Sequence, residues 1–234
     1  MSAADPTAAD CARMAHGLAA AVDVMDRLWS FGGWEVTQTH DSLRPYLLEE
    51  TYELLDAIQH GDVETIKEEL GDLLLQVLFH SRIAEAAGEF TVEDVAAALV
   101  DKLVHRSPHL LDGAADFGDS VEDKIAAQEK AWEERKSTEK ARRSCLDGIA
   151  LAQPALALAE KIRSRSLKAG LPEDLIPDTL RVIHLGAPDS AEERLRKATL
   201  AFATQIRAAE DAAEAARGER APLPPADWRA YWPN

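Results

Sequence analysis

Four acidic residues are arranged symmetrically about one glycine, with the spacing of a metal site. Glu50-x-x-Glu53 precedes Gly61, and Glu69-x-x-Asp72 follows it. Glu53 and Glu69 are each eight residues from the glycine. Glu50 and Asp72 are each eleven residues from it. A three-residue spacing places both acids of a pair on one face of a helix. The pattern is that of two helical arms joined by a turn.

Convergence of the four carboxylates requires an antiparallel helix hairpin that reverses at Gly61. A rise of about 1.5 Å per residue puts each acid opposite its counterpart, roughly 12 Å and 16 Å from the turn. Like charges held together in this way favour a bound hard cation, because the cation offsets their repulsion. Carboxylate oxygens are ligands that Mg²⁺ prefers, so Mg²⁺ is the predicted metal, with Mn²⁺ as an alternative.

The same spacing also arises on solvated helix faces, in a chain with 42 Asp and Glu among 234 residues. The symmetry argues against chance, and so does the helical wheel of the second arm. On that wheel four polar residues form one stripe bordered by apolar side chains: Glu69, Asp72, Gln76 and His80. Burying unpaired carboxylates costs several kcal/mol each, so a cation is the economical explanation. Di-iron bundles need Glu-x-x-His, which is missing here. The four acids are joined by no histidine, which makes iron and zinc less favoured than Mg²⁺ or Mn²⁺.

Two basic residues follow the acids on a later predicted helix. Lys102 and Arg106 are one turn apart and share a face. They can be solvated cations that offset the helix macrodipole, or they can meet phosphates bridged by the metal. Acids, a metal and two cations together suit the chemistry of phosphate esters and anhydrides.

Composition and charge limit the classes of function. The chain has 234 residues, of which 46% are hydrophobic, so it can form one large domain or two small ones. Its net charge of −16 argues against broad contact with nucleic acid or anionic lipid. The first residues lack the basic start and apolar centre of a secretory signal, and the apolar runs are too short to span a bilayer, so we expect neither feature. Cys11 and Cys145 form no metal motif, so we expect ordinary thiols in a cytoplasmic protein.

Apolar periodicity predicts an all-α protein. We expect a first helix over residues 8–29, a second helix capped by Ser42, a third capped by Asp62, a fourth opened by a Thr91/Asp94 capping box, and a loop over 107–119. Further helices are predicted from Ser120, over 145–167 with an interruption at Pro154, and from Asp189 or Ser190 to about Arg217. The proline-rich end, APLPPADWRAYWPN, is expected to be unstructured, with the alternative that its aromatic residues Trp228, Tyr231 and Trp232 pin it to the body of the protein.

Three stretches resemble the MazG family of nucleoside triphosphate pyrophosphohydrolases. They are LLEETYELLDAI, KEELGDLLLQVLFHSRIA and DKLVHRSPHLL, and they carry the family signature E-x-x-E, a spacer and E-x-x-D. The resemblance implies a MazG-type helical bundle completed by dimerisation. It also implies Mg²⁺-dependent cleavage of NTPs or dNTPs to a monophosphate and pyrophosphate, with clearance of non-standard nucleotides as one role.

The resemblance also assigns roles to individual residues. It places the metal on four acids: Glu50, Glu53, Glu69 and Asp72. Glu49 would orient or deprotonate the attacking water. Lys102 and Arg106 would hold phosphates, and Trp34 and Gln38 would lie near the nucleotide.

Two departures from the family pattern affect these expectations. Gly33-Trp34-Glu35-Val36 stands where the family usually has Cys-Pro-Trp-Asp-Lys, so base contacts there are in question. The acidic motif is not repeated in the second half. We therefore predict a catalytic domain over 1–119, a charged connector helix over 120–143, a degenerate second repeat over 144–217 and a tail over 218–234. The alternative function is a non-catalytic helical binding or regulatory module that keeps the fold.

Overall fold

The computed structural model describes residues 17–107, 120–138, 142–186 and 189–233. Every regular element within these ranges is helical, which confirms the all-α prediction. The α-helices are α1 (Leu18–Phe31), α2 (Arg44–His60), α3 (Val63–Ala86), α4 (Val92–Arg106), α5 (Val121–Thr138), α6 (Ala155–Lys168), α7 (Ala191–Arg217) and α8 (Pro225–Tyr231). The chain divides into two compact units, Met1–Arg135 and Lys136–Asn234.

Helices α2 and α3 form the predicted hairpin. Gly61 ends α2 in the left-handed region with φ 73°, a conformation that glycine adopts without steric cost. Its N–H donates to the carbonyl of Ala57. Asp62 then caps α3 by accepting a hydrogen bond from the N–H of Glu64. The reversal is therefore fixed by one glycine and one cap, both of which are local signals in the sequence.

Helix α3 is the centre of the first unit, because α1, α2 and α4 all pack against it. The core of this unit is small and consists of Met25, Leu43, Leu78 and Phe79, all buried. Thr91 and Asp94 form the predicted capping box at the start of α4. Ser120 accepts a hydrogen bond from the N–H of Asp123 and opens α5, as predicted.

Three further predictions concern the beginning of α1, the cap of α2 and the loop after α4. Helix α1 ends at Phe31 beside Gly32, whereas its predicted beginning at residues 8–16 lies outside the described residues. The prediction that Ser42 caps α2 is wrong, since α2 begins at Arg44 without a side-chain cap. The Ser42 hydroxyl is committed to the preceding turn instead. It accepts from the N–H of Thr39 at 2.9 Å and donates to Gln38 at 2.7 Å. The predicted loop at 107–119 is not described beyond residue 107.

The second unit is built on α6 and α7, which pack together around a larger apolar core. Ser190 caps α7 through the N–H of Glu193, and α7 ends at Arg217 beside Gly218, as predicted. The predicted helix over 145–167 is only partly present, since α6 begins at Ala155. Residues 145–153 form turns, and Pro154 can precede a helix but cannot continue one.

The prediction of an unstructured C-terminal segment is wrong. Pro225 lies in the first turn of α8, where a missing N–H costs nothing. Trp228 is 1% exposed, and its indole N–H donates to the carbonyl of Ala169 at 3.1 Å. Burial of a tryptophan against a distant part of the chain therefore orders this segment. No helix among the described residues is long and apolar enough to cross a membrane.

A charged cluster joins residues 143–147 to α7 and to Arg220. The Arg220 guanidinium forms ion pairs with Glu210 at 3.0 Å, Asp211 at 2.6 Å and Glu214 at 3.0 Å. Glu210 also accepts a hydrogen bond from the N–H of Cys145 at 2.9 Å. Burial, with the Glu210 charge as a second cause, raises the pKa of the Cys145 thiol to about 12. This thiol stays protonated at neutral pH.

Candidate functional site

Three of the predicted acids converge between the two arms of the hairpin. Glu50 lies on α2, whereas Glu69 and Asp72 lie on α3. Each contributes a carboxylate oxygen to a group in which all oxygens are within 4.8 Å of one another. All three side chains are partly buried. The mirror arrangement about Gly61 thus brings carboxylates from opposite arms together.

Electrostatics within this acidic cluster are unfavourable for the ionised carboxylates. The pKa of Glu50 is raised by its desolvation, followed by the charges of Asp72, Glu53 and Glu69. The pKa of Glu69 is raised by its desolvation and then by the charges of Glu53 and Asp72. Glu69 Oε2 is a buried atom without a hydrogen-bond partner in the described chain. The cluster therefore concentrates negative charge. No cationic side chain among the described residues donates a hydrogen bond to Glu69 Oε2.

The donor set fits a hard divalent cation. All three ligand candidates are carboxylates, the group that Mg²⁺ and Mn²⁺ bind readily. Their 4.8 Å spread is close to twice the metal–oxygen distance of about 2.1 Å found for Mg²⁺, so little movement would bring them onto one ion. The Glu69 oxygen without a hydrogen-bond partner also fits a bound cation, because a buried acceptor normally has a partner.

The other two predicted acids lie at the margin of this cluster. Glu53 is exposed and outside the group of three, yet its charge raises the pKa of both Glu50 and Glu69. Glu49 is exposed and adjacent to Glu50, and its charge is the smallest contribution to the raised pKa of Glu50. Both carboxylates are thus within electrostatic reach of the cluster while remaining open to solvent.

The polar stripe of α3 continues beyond the acids with Gln76 and His80. Gln76 is 5% exposed, and its Oε1 atom has no hydrogen-bond partner among the described residues. The imidazole of His80 stacks on that of His40, with ring centroids 5.0 Å apart and the two Nδ1 atoms at 2.7 Å. Gln76 and His80 lie on the polar stripe that the helical wheel predicts, but their residue types and spacing indicate no role. The contact with His40 cannot be predicted from the sequence, because nothing local marks a contact across 40 residues.

The two residues predicted near the nucleotide lie in the segment between α1 and α2. Trp34 is 52% exposed, and its ring meets Phe79 of α3 edge-on at 5.9 Å and Tyr46 at 6.1 Å. The amide of Gln38 is used locally, since it donates to the carbonyl of Trp34 at 3.1 Å and accepts from Ser42 at 2.7 Å. Trp34 therefore offers a supported aromatic surface, whereas Gln38 holds the turn in place.

The two predicted phosphate-binding residues lie on α4, which packs against α3. Lys102 is exposed to solvent. Arg106 is partly buried, and its guanidinium lies 5.0 Å from the centre of the Trp132 ring. The backbone carbonyl of Arg106 accepts a hydrogen bond from Arg135 at 3.1 Å. Lys102 is thus available at the surface, whereas Arg106 is held by α5.

Comparison with known proteins shows which family this chain is similar to. The model of the MazG nucleotide pyrophosphohydrolase domain matches residues 38–111, a range that contains the acidic cluster, Lys102 and Arg106. The chain is 48% identical over 227 residues to a nucleoside triphosphate pyrophosphohydrolase of Mycobacterium tuberculosis, covering 92% of this chain and 68% of that protein.

Two further relatives are also similar to the chain. The chain is 47% identical over 230 residues to a nucleoside triphosphate pyrophosphohydrolase of Mycolicibacterium smegmatis, covering 92% of this chain and 69% of the relative. It is 42% identical over 153 residues to the nucleoside triphosphate pyrophosphohydrolase/pyrophosphatase MazG of Thermotoga maritima, covering 64% of this chain and 56% of the relative. The chain therefore belongs to the MazG nucleotide pyrophosphohydrolase family.

Proposed function

We propose that this protein is a Mg²⁺-dependent enzyme that hydrolyses nucleoside and deoxynucleoside triphosphates to the monophosphate and pyrophosphate. The observation that carries the proposal is the group of carboxylates from Glu50, Glu69 and Asp72, all within 4.8 Å, with an unpartnered oxygen on Glu69. The printed names of the relatives supply the reaction class. A site of this kind suits a substrate whose own phosphates bring negative charge, because the shared cation offsets both.

The metal, when bound, would neutralise the α- and β-phosphates and lower the pKa of an attacking water. Glu50, Glu53, Glu69 and Asp72 would hold it. Glu49, exposed beside Glu50, would orient the water and take its proton as the water oxygen bonds to the α-phosphorus. The bond from the α-phosphorus to the oxygen that bridges the α- and β-phosphates would break, and pyrophosphate would leave. Lys102 and Arg106 would hold the phosphates during this step.

The remaining assignments extend the same proposal. Trp34 would contact the nucleotide through its exposed ring, and Gln38 would hold Trp34 in position. We infer a cytoplasmic role in clearing non-standard nucleotides. The second unit, which lacks the E-x-x-E and E-x-x-D pair, would support the fold without catalysing the reaction.

A substrate panel tests the activity. The purified chain is incubated with standard and damaged NTPs and dNTPs in Mg²⁺, and released pyrophosphate and monophosphate are measured. We expect both products in equal amounts from at least one nucleotide, with little turnover in EDTA. Wild-type protein that yields neither product from any nucleotide would refute the proposal. Full activity in Glu53→Gln would remove Glu53 from the metal site.

We also propose that the protein is a homodimer. Three apolar side chains of α2 lie on one face at helical spacing and are 52–59% exposed: Leu48, Tyr52 and Leu55. Such a stripe on the helix that carries Glu50 is a natural surface for a second copy, because burying it removes apolar area from water. Analytical ultracentrifugation should show a dimer that Leu55→Glu converts to monomer. A monomeric wild-type protein would contradict this proposal.

A further inference from the structure

Three polar side-chain atoms beyond the acidic cluster have no hydrogen-bond partner among the described residues: Gln76 Oε1, His80 Nε2 and Arg82 Nε. The Arg82 guanidinium forms ion pairs with Asp26 and Glu85 through its Nη1 atom, which leaves Gln76 and His80. Gln76 is 5% exposed, so water reaches it poorly. More than nine in ten buried polar groups in folded proteins have a partner, because a buried group without one has given up its hydrogen bonds to water. A buried amide kept at this cost points to a partner that does not belong to the chain.

The position of these atoms relative to the acids defines where such a partner lies. Gln76 follows Asp72 by four residues on the same face of α3, which places it roughly 6 Å further along the helix. His80 follows by eight residues, roughly 12 Å further. The stripe therefore runs from carboxylates at one end to an amide and then an imidazole at the other.

The segment between α1 and α2 closes the far end of this stripe. His40 stacks on His80 and engages its Nδ1 atom at 2.7 Å, so that Nε2 is the nitrogen left to meet a ligand. Burial and then the neighbouring His40 lower the pKa of His80, which favours the neutral form of the His80 imidazole. Trp34, 52% exposed, rests edge-on against Phe79, the residue before His80. An aromatic surface and a fixed imidazole thus share one end.

We propose that Gln76 and His80 bind the nucleoside part of the substrate. Gln76 Oε1 accepts a hydrogen bond from a sugar hydroxyl, and His80 Nε2 meets the edge of the base. The order along α3 matches the order within a nucleotide, since the sugar follows the α-phosphate and the base follows the sugar. This inference rests on the proposed function, because it takes the acids as the phosphate end of the site.

The test separates nucleoside contacts from phosphate contacts. Calorimetry measures binding of α,β-methylene analogues of ATP, GTP, CTP and UTP in Mg²⁺, and binding of tripolyphosphate, which has no nucleoside. The variants are Gln76→Met, which keeps the length of the side chain, and His80→Asn. Gln59→Met, at an exposed position on α2, is the matched control. Circular dichroism establishes that each variant is folded.

We expect Gln76→Met to weaken the tightest nucleotide analogue by about tenfold or more, since one lost hydrogen bond at a buried acceptor costs about 1.4 kcal/mol or more. Tripolyphosphate affinity should change by less than about twofold, and Gln59→Met should match wild type. His80→Asn should show the same selective loss, which keeps the inference testable if Gln76→Met fails to fold.

Three outcomes would overturn the inference: equal weakening of both probes, which would place Gln76 on the metal side, unchanged binding of both, or a wild-type protein that binds no nucleotide analogue. A selective loss of analogue binding, in a protein that releases no pyrophosphate from natural nucleotides, would refute the proposed activity and leave this inference standing.

Discussion

Glu50 and Asp72 lie on opposite arms of the α2–α3 hairpin, eleven residues on either side of Gly61, and offer carboxylate oxygens within 4.8 Å of each other. The symmetry of their spacing becomes proximity because Gly61 ends α2 in the left-handed conformation and Asp62 immediately caps α3. No strand or long loop intervenes between the two arms. Two acids that are distant in sequence are therefore held together by a turn of two residues.

Neutralising an acid of the cluster should silence the enzyme. Asp72→Asn removes one ligand charge while keeping the size of the side chain, and we expect kcat for pyrophosphate release to fall about 100-fold or more. Asp56→Asn, at an exposed position on α2, is the matched control and should leave the rate within about twofold of wild type. Equal rates for Asp72→Asn and wild type would exclude Asp72 from the site.

Replacing Glu49 should lower turnover without changing the affinity for Mg²⁺. A general base contributes about 10²–10⁴ to rate, so Glu49→Gln should lower kcat by at least about 100-fold. Because the proposal assigns Glu49 to the water and not to the metal, the Mg²⁺ affinity measured by calorimetry should stay within about twofold of wild type. A parallel loss of Mg²⁺ binding would instead make Glu49 a metal ligand.

Without metal, removing a charge from the cluster should stabilise the fold. The pKa of Glu69 is raised from its ordinary value of 4.5, mainly by desolvation and the charge of Glu53. The protonated Glu69 carboxyl therefore contributes stability that is fully present below pH 4.5, and this stability is lost as the pH rises through the raised pKa. In EDTA, Glu69→Gln should melt at a higher temperature than wild type at pH 8, with a smaller difference near pH 4.

Divalent cation should reverse that order, because it stabilises only the form with intact ligands. Thermal unfolding in EDTA and in excess Mg²⁺ measures both effects on the same two proteins. A wild-type protein that is already the more stable of the two in EDTA at pH 8 would show that the Glu69 charge is offset by the chain itself.

The Arg220 cluster should stabilise the second unit. The side chain of Arg220 is 19% exposed and that of Glu210 is 9% exposed. Arg220→Met therefore leaves the largely buried Glu210 carboxylate without its cation. We expect a loss of about 2 kcal/mol in unfolding free energy. Hydrogen exchange should show faster exchange in α7 and in residues 142–147. Arg229→Met, which removes an exposed ion pair with Asp174, is the control and should cost less than about 1 kcal/mol.

Cys145 should be unreactive in the folded protein. Its thiol pKa is raised to about 12, mainly by burial, so the thiolate that attacks alkylating reagents is scarce below that pH. In a Cys11→Ser background, iodoacetamide at pH 8.5 should label Cys145 at least 100-fold more slowly than in urea-unfolded protein. Labelling of the folded protein at the rate of an exposed thiol would contradict the burial of the Cys145 thiol.

Local signals in the sequence predicted most of the first unit. Gly61, the Asp62 cap and the Thr91/Asp94 box act within four residues, so the hairpin and α4 follow from neighbouring residues alone. Two features that were not predicted depend on distant partners. Helix α8 depends on Trp228 reaching Ala169, and the His40–His80 contact joins residues forty positions apart. Ser42 was mistaken for a cap because its competing bonds to Thr39 and Gln38 depend on how the turn folds.

A calorimetric titration of metal-free protein with Mg²⁺ tests most directly whether the acidic cluster is a cation site. We predict saturable binding in wild-type protein, at least a tenfold loss of affinity in Asp72→Asn and unchanged affinity in Asp56→Asn. The non-catalytic module that the sequence also allows predicts no saturable binding at these acids. Absence of saturable binding in wild type, or identical binding in wild type and Asp72→Asn, would contradict the account.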